Sequence, residues 1–209
     1  MKLQILDYGS GNLFSIRESL NRVSGKSVEP FISSSYKKGT VDALVLPGVG
    51  SFTSAQRILS MNREAILADI RDRRMPVLGI CLGMQLMFQM SEEGEGDGLG
   101  LFEGKVKRFE STLARKVPHM GWNTINIDGS NGSSLLQGVS ESSWVYFVHS
   151  YYPAPIDGEI VTAWTDYEGQ TFPAVIESDG RIFGTQFHPE KSHSTGSLIL
   201  SNFLRAVSK

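Results

Sequence analysis

Apolar and polar positions alternate between two periods along the first ninety residues. Leu3 to Leu6 is a short apolar run ending at Asp7-Tyr8-Gly9-Ser10-Gly11-Asn12, the pattern of a buried strand followed by a glycine-rich turn. Leu13, Ile16, Leu20 and Val23 then recur at helical spacing, and Gly25 closes that helix. Ala43 to Leu46 predicts a second strand, stopped by Pro47-Gly48-Val49-Gly50. Asn62 to Arg74 predicts a helix with Ile66, Leu67 and Ile70 on one face. Val77 to Ile80 predicts a third strand, followed by Cys81 and a helix from Leu82 to Met90.

The second half changes period. Lys105 to Phe109, Trp122 to Ile127, Trp144 to Tyr151, Ile160 to Trp164, Ala174 to Glu177 and Arg181 to Phe187 read as short strands. Asp128-Gly129, Asn131-Gly132, Asp157-Gly158 and Asp179-Gly180 punctuate them as hairpins or loops. A helix from about Ser194 to Val207 closes the chain. Strands alternating with helices predict an α/β fold, a mostly parallel central sheet with helices on both faces, here with an antiparallel extension. The sequence carries no internal repeat, linker or low-complexity tract, so residues 1–209 read as a single domain.

Composition narrows the function. Lys and Arg total 20 against 22 Asp and Glu, a net charge of −2, which gives no electrostatic case for nucleic acid or an anionic membrane. The charge-free stretch Met75 to Ser91 has 17 residues and contains Pro76, Gln85 and Gln89. That is short of the roughly 20 apolar residues a spanning helix needs. Asp7 interrupts the N-terminus before a signal-peptide core forms. A single cysteine excludes an internal disulfide framework and a multi-cysteine metal site, and a reducing cytoplasm is the simplest home. Four dispersed histidines lack ligand spacing, so no metal and no organic cofactor is expected.

Gly79-Ile80-Cys81-Leu82-Gly83 follows an apolar strand and opens a helix, the nucleophile-elbow pattern with cysteine in the serine position. A sharp strand-to-helix turn needs small neighbours, and backbone N–H groups at a helix start favour a thiolate. Against this stands a buried cysteine on a glycine-flanked strand end. His188-Pro189-Glu190 comes 107 residues later, just after a predicted strand. A thiol nucleophile needs a base, and the base works better when a carboxylate orients its imidazole. The alternative is an exposed loop histidine; His119, His149 and His193 have no such adjacent carboxylate. Donors for an oxyanion are available in the Pro47 to Gly50 loop, at Val49 and Gly50, and at Leu82 directly after Cys81.

Taken together these segments resemble the class I, triad-type glutamine amidotransferases. Gly79-Ile-Cys81-Leu-Gly-Met-Gln85 and Gln186-Phe-His188-Pro-Glu190 are that family's signatures, in order over essentially the whole chain. Asp7 to Asn12, Pro118 to Asn123, Tyr146 to Tyr151 and His188 to Ser192 are similar to those members that form a free-standing glutaminase subunit beside a TIM-barrel cyclase. The resemblance implies L-glutamine as substrate, attacked by Cys81, with His188 shuttling the proton and Glu190 orienting it. It implies Gln85, Glu93, Ser150 and Tyr151 as the glutamine-binding set, with Gly50 beside them. It also implies Asn12, Trp122, Tyr146 and Lys191 on the face toward the cyclase, in a heterodimer that channels ammonia, and a Pro47 to Gly50 loop that switches into a competent form. Read from the residues alone, Glu93 is a solvated glutamate of an acidic run, and Trp122 is a core residue of its strand. A stand-alone γ-glutamyl hydrolase with the same triad, a paralogue feeding another TIM-barrel synthase and a non-catalytic subunit remain open at this point.

Overall fold

The computed structural model describes residues 1–9, 13–25, 27–48, 50–127, 129 and 132–208. In the first half, strands β1 (Lys2–Leu6), β2 (Glu29–Ser33), β3 (Ala43–Leu46) and β4 (Val77–Ile80) alternate with helices α1 (Leu13–Ser24), α2 (Phe52–Arg73) and the single turn α3 (Leu82–Gln85). The second half supplies β5 (Phe88–Ser91), β6 (Phe102–Arg108), β7 (His119–Thr124), β8 (Asn126–Ile127), β9 (Trp144–His149), β10 (Tyr151–Pro155), β11 (Val161–Tyr167), β12 (Gln170–Ser178), β13 (Ile182–Thr185) and the last helix, α4 (His193–Val207).

Eight strands form the central sheet in the order β2-β1-β3-β4-β13-β12-β11-β8. From β2 to β13 every pairing is parallel, and β13-β12-β11-β8 pair antiparallel. Alternate residues of the parallel strands enter different cores. Leu3, Ile5, Ala43, Val45, Leu78 and Ile80 join α1 and α4 on one face; Leu6, Leu44, Leu46 and Val77 join α2 on the other. That burial on both faces is why these strands are unbroken apolar runs. Two small sheets complete the chain, β10-β6-β5 and β7-β9.

Four expectations need correction. Strand β2 went unread because Glu29-Pro30-Phe31-Ile32-Ser33 carries little apolar signal; it is an edge strand, where a proline is tolerated. Helix α2 starts ten residues before the predicted Asn62, with Ser51 as N-cap accepting from the Ser54 N–H at 3.3 Å. The helix predicted from Leu82 to Met90 ends at Gln85, and Phe88 to Ser91 pairs with β6 instead. The run Trp144 to Tyr151 breaks at Ser150, where the chain leaves β9 for β10 and a different sheet. Short apolar runs do not separate helix from strand, and period alone does not say which sheet a strand joins.

Of the predicted hairpins, Asp179-Gly180 turns β12 into β13 with φ of 54° and 60°, in a three-residue loop that Arg181 completes between the paired Ser178 and Ile182. Asp157-Gly158 opens a short 3₁₀ turn, its carboxylate accepting from the Glu159 N–H at 2.8 Å. Asp128 and Asn131 lie outside the described residues. Among the described residues no helix is long and apolar enough to cross a membrane.

Candidate active site

Strands β3, β4 and β13 are neighbours and parallel, so their carboxyl ends lie side by side. Ligand sites of such sheets form there. The three ends lead into Gly48, Cys81 and His188.

Cys81 sits between β4 and α3 at φ 48°, ψ −103°, a strained conformation that the surroundings enforce. Its N–H donates to the Thr185 carbonyl at 2.6 Å, tying the turn to β13, and its carbonyl accepts from Gln85 N–H at 3.1 Å. The flanking glycines are required by space. A Cβ on Gly79 would lie 2.6 Å from Met84 N, and one on Gly83 would collide with the Leu46 carbonyl. Because α3 is a single turn, Cys81 precedes the few unpaired N–H groups of a helix start and not a long helix dipole.

Gly48 brings nucleophile and base together. A Cβ at this position would lie 2.9 Å from Cys81 Cβ and 3.0 Å from His188 Cε1, so both side chains converge on the space that glycine leaves open. His188 is 1% exposed; its Nδ1–H donates to Glu190 Oε1 at 2.8 Å, and that carboxylate is also buried. His188 Nε2 is buried and makes no hydrogen bond among the described residues, which leaves it for a reaction partner. Burial pushes the His188 pKa down, but the Cys81 thiolate and the Glu190 carboxylate outweigh burial and raise it to about 10.

The cleft over Cys81 has a volume of about 280 Å³ and is lined in part by Gly50, Leu82, Gln85, Glu93, Ser150 and Tyr151. Gly50 has φ 112°, a backbone conformation that favours glycine. Leu82 N–H, at the first position of α3, has no intrahelical acceptor. Glu93 is half-buried; burial raises its pKa, opposed by a hydrogen bond from Phe52 N–H. It is thus part of the cleft wall and not a fully solvated glutamate. Gln85 Nε2 donates to the Tyr151 carbonyl at 2.8 Å and to Gln186 Oε1 at 3.2 Å. With both amide hydrogens engaged, only Gln85 Oε1 is left for a ligand, and it suits an N–H donor. Val49 lies outside the described residues.

Two features of the site were absent from the sequence reading. Gln186 is fully buried with its Nε2 3.4 Å from Cys81 Sγ. His149 lines the cleft, donates from Nδ1 to the Tyr151 carbonyl at 2.8 Å and meets His119 at 3.1 Å. Burial pushes both down, His119 to about 4 and His149 to about 3, so this pair is neutral. Only the signature position of Gln186 pointed to it, and nothing in the spacing pointed to His149.

Trp122 is 42% exposed, so the expectation of a core residue is wrong. In β7-β9 the period of two buries His119, Val145, Phe147 and His149, and turns Met120, Trp122, Trp144 and Tyr146 the other way. There Trp122 stacks on His193 at 5.0 Å, meets Tyr146 edge-on at 5.9 Å, and Lys191 Nζ lies 5.6 Å over the Tyr146 ring. Asn12 lies outside the described residues. Among the described residues no three His, Cys, Asp or Glu are placed to hold a metal ion.

Residues 4–207 match the family model "Glutamine amidotransferase class-I". The chain is 44% identical to the imidazole glycerol phosphate synthase subunit HisH of Thermosynechococcus vestitus, covering 98% of this chain and 97% of that one. It is 46% identical to HisH of Geobacillus thermodenitrificans (97% and 95% covered) and 45% to that of Halobacterium salinarum (96% and 91%). In fold it is similar to PurLQS from Thermotoga maritima, with a TM-score of 0.74 at 18% identity over 98% of this chain and 97% of that one. The glutaminase domain of Trypanosoma brucei CTPS gives 0.66 at 16% identity over 99% and 93%. A nucleophile elbow, a buried histidine–carboxylate pair and these relatives over nearly full length agree: the chain belongs to the class-I glutamine amidotransferases, within the HisH family of imidazole glycerol phosphate synthase subunits.

Proposed function

We propose that Cys81, His188 and Glu190 hydrolyse L-glutamine to glutamate and ammonia, and that the ammonia passes to a TIM-barrel cyclase, HisF, in a heterodimer serving histidine biosynthesis. The observation that carries this reading is the convergence of Cys81 and His188 on the space above Gly48, with Glu190 behind the imidazole.

The Cys81 thiolate attacks the carboxamide carbon, and the oxyanion is received by N–H groups of Leu82 and of the Val49–Gly50 segment. The His188 imidazolium gives its proton to the leaving amide nitrogen, which departs as ammonia. His188 then takes a proton from water, whose oxygen attacks the thioester and releases glutamate and thiolate. Glu93 and Gln85 Oε1 receive the substrate's α-ammonium, with Ser150 and Tyr151 on the other side of the cleft. The outward face of β7-β9, with Trp122, Tyr146 and Lys191, receives the cyclase. There ammonia is used with the phosphoribulosyl-formimino aminoimidazole carboxamide ribonucleotide to make imidazole glycerol phosphate and AICAR.

The names of the relatives support a synthase partner, and the residues of Tyr146 support coupling. The Tyr146 carbonyl accepts from His188 N–H at 2.9 Å, so the strand that faces the partner also holds the base. The whole chain is read as one amidotransferase domain in a cytoplasmic enzyme.

The test is glutamate release with and without the cyclase and its ribonucleotide. Activation by orders of magnitude is expected, with Cys81→Ala abolishing the glutamine-driven reaction while added ammonium still drives the cyclase. Full turnover without any partner points to the stand-alone hydrolase instead, and glutamine use by the Cys81→Ala complex removes Cys81 as nucleophile.

A further inference from the structure

The polar contacts around the sulfur have a direction. The Tyr151 carbonyl is only an acceptor, so the Gln85 group 2.8 Å from it is NH₂. That NH₂ in turn requires the Gln186 group 3.2 Å away to be the carbonyl oxygen, because the reverse orientation would set one NH₂ against another. The remaining end of the Gln186 amide, 3.4 Å from Cys81 Sγ, is therefore an N–H donor in every protonation state of the site. Gln186 is fully buried on the segment that runs from β13 to His188.

We propose that Gln186 is a catalytic residue that holds a fixed, uncharged donor on the Cys81 sulfur and so favours its nucleophilic form, a role that rests on Cys81 being the nucleophile. A charge-free donor suits this position. The titratable groups around the sulfur are His188, backed by Glu190, with neutral His149 on β9 and Glu93 lining the same cleft, and the Val148 carbonyl lies 3.9 Å from Sγ. A second cation there would hold the thiolate too tightly to attack and would compete with His188 for Glu190. An amide stabilises negative charge on sulfur and has no proton to lose when the thioester forms. The contact also links substrate pocket to nucleophile: Tyr151, Gln85, Gln186 and Cys81 form one polarised chain.

The test is the rate of Cys81 alkylation by iodoacetamide as a function of pH, with Gln186→Met and Gln186→Glu. Methionine keeps the length and removes the donor, while Gln85 retains its bond to Tyr151. Loss of a hydrogen bond to a charged group predicts an alkaline movement of the alkylation midpoint by about one pH unit, a tenfold loss of reactivity below it. Glutamate keeps an acceptor toward Gln85 but sets an oxygen against the sulfur, so its midpoint moves further. The kcat for glutamine falls in both with little change in KM. A merely structural role lowers the amount of active protein without moving the midpoint, and an unmoved midpoint in either folded variant overturns the proposal. Should both variants fail to fold, the ¹⁵N resonance of the Gln186 side chain in the wild type decides. It must titrate together with the alkylation midpoint, and a flat response overturns the proposal. Cys81→Ala, run in parallel for glutaminase activity, separates the two claims, since activity retained there refutes the nucleophile and not Gln186 alone.

Discussion

Gly48→Ala is the sharpest perturbation of the site, because it adds one methyl group between the nucleophile and its base. Gly48 lies outside the left-handed region, so alanine meets no backbone penalty there. The methyl would lie 2.7 Å from the Ile80 carbonyl oxygen, 2.9 Å from Cys81 Cβ and 3.0 Å from His188 Cε1. Ordinary contact begins near 3.4 Å, so the groups must separate by about 0.4 to 0.7 Å. Backbone on β4 cannot yield by swinging a side chain, and the displacement falls on Cys81 and His188. Overpacking of this size costs about 1–3 kcal/mol of stability. A misplacement of 1 Å lowers kcat about 10²-fold, so one of this size lowers it by up to about 10²-fold, or up to about 2.7 kcal/mol of barrier. The assay is glutamate release in the presence of the cyclase and its ribonucleotide, beside a thermal melt. Gly158→Ala is the neutral control, since a Cβ there meets nothing within 4 Å. A Gly48→Ala protein that keeps kcat within about threefold of wild type would refute the convergence of the two side chains on this point.

Three further outcomes follow from single groups. His188 has a raised pKa, so its ionisation contributes stability that is fully present below about pH 6.5 and is lost as pH rises toward about 10. The melting temperature should fall across that window more in the wild type than in Glu190→Gln, where the first neighbour of Nδ1 carries no charge; equal slopes sink the argument. Glu93→Gln should raise KM for glutamine about 10- to 100-fold with kcat nearly unchanged, as expected for a carboxylate that holds the ammonium. A fall in kcat at constant KM would place Glu93 in the chemistry instead. Trp122→Ala removes a half-exposed ring stacked on His193, outside the buried cores. It should weaken cyclase binding by about 2 kcal/mol or more, measured by titration calorimetry, while leaving the melt intact; unchanged affinity moves the partner face elsewhere.

The parallel half of the fold and the turns that carry the chemistry were legible because burial on both faces writes itself into the chain. Ala43 to Leu46 and Val77 to Ile80 carry no polar side chain, and the turn after each holds a glycine that sterics require, Gly48 after β3 and Gly83 after β4. What escaped was set by tertiary partners. Glu29 to Ser33 becomes a strand only because β1 offers it a parallel edge, and Phe88 to Ser91 leaves the helical pattern because β6 pairs with it. The two-residue turn Glu168-Gly169, with φ of 49° and 78°, makes a hairpin although glutamate is an unusual occupant of its first position. Read from its strand alone Trp122 belongs to the core, yet facing direction in a two-stranded sheet is decided by register against Tyr146. Gln186 and His149 escaped for another reason: their roles lie in contacts with residues 105 positions away and on neighbouring strands, and periodicity carries no such information.

The two halves of the catalytic pair are held in different ways, and this bears on how a partner would act. Cys81 is fixed by the central sheet, through its N–H on Thr185 and the glycines packed against Met84 and Leu46. A partner on the outer face of β7-β9 has no direct contact with that ladder. His188 is instead tied to β9, the strand that bears Tyr146. Its N–H donates to Tyr146, Tyr146 N–H donates to Ser192 Oγ, and Ser192 Oγ–H donates to the His188 carbonyl at 2.6 Å. The same strand continues through Val148 and His149 into Ser150 and Tyr151, the far wall of the cleft. A load on Tyr146 therefore reaches His188 and the far wall of the cleft through β9, and the same strand touches the sulfur, since Cys81 Sγ lies 3.9 Å from the Val148 carbonyl. Coupling of this kind needs no displacement of the Cys81 backbone; it requires only that β9 have two positions and that the partner prefer one of them.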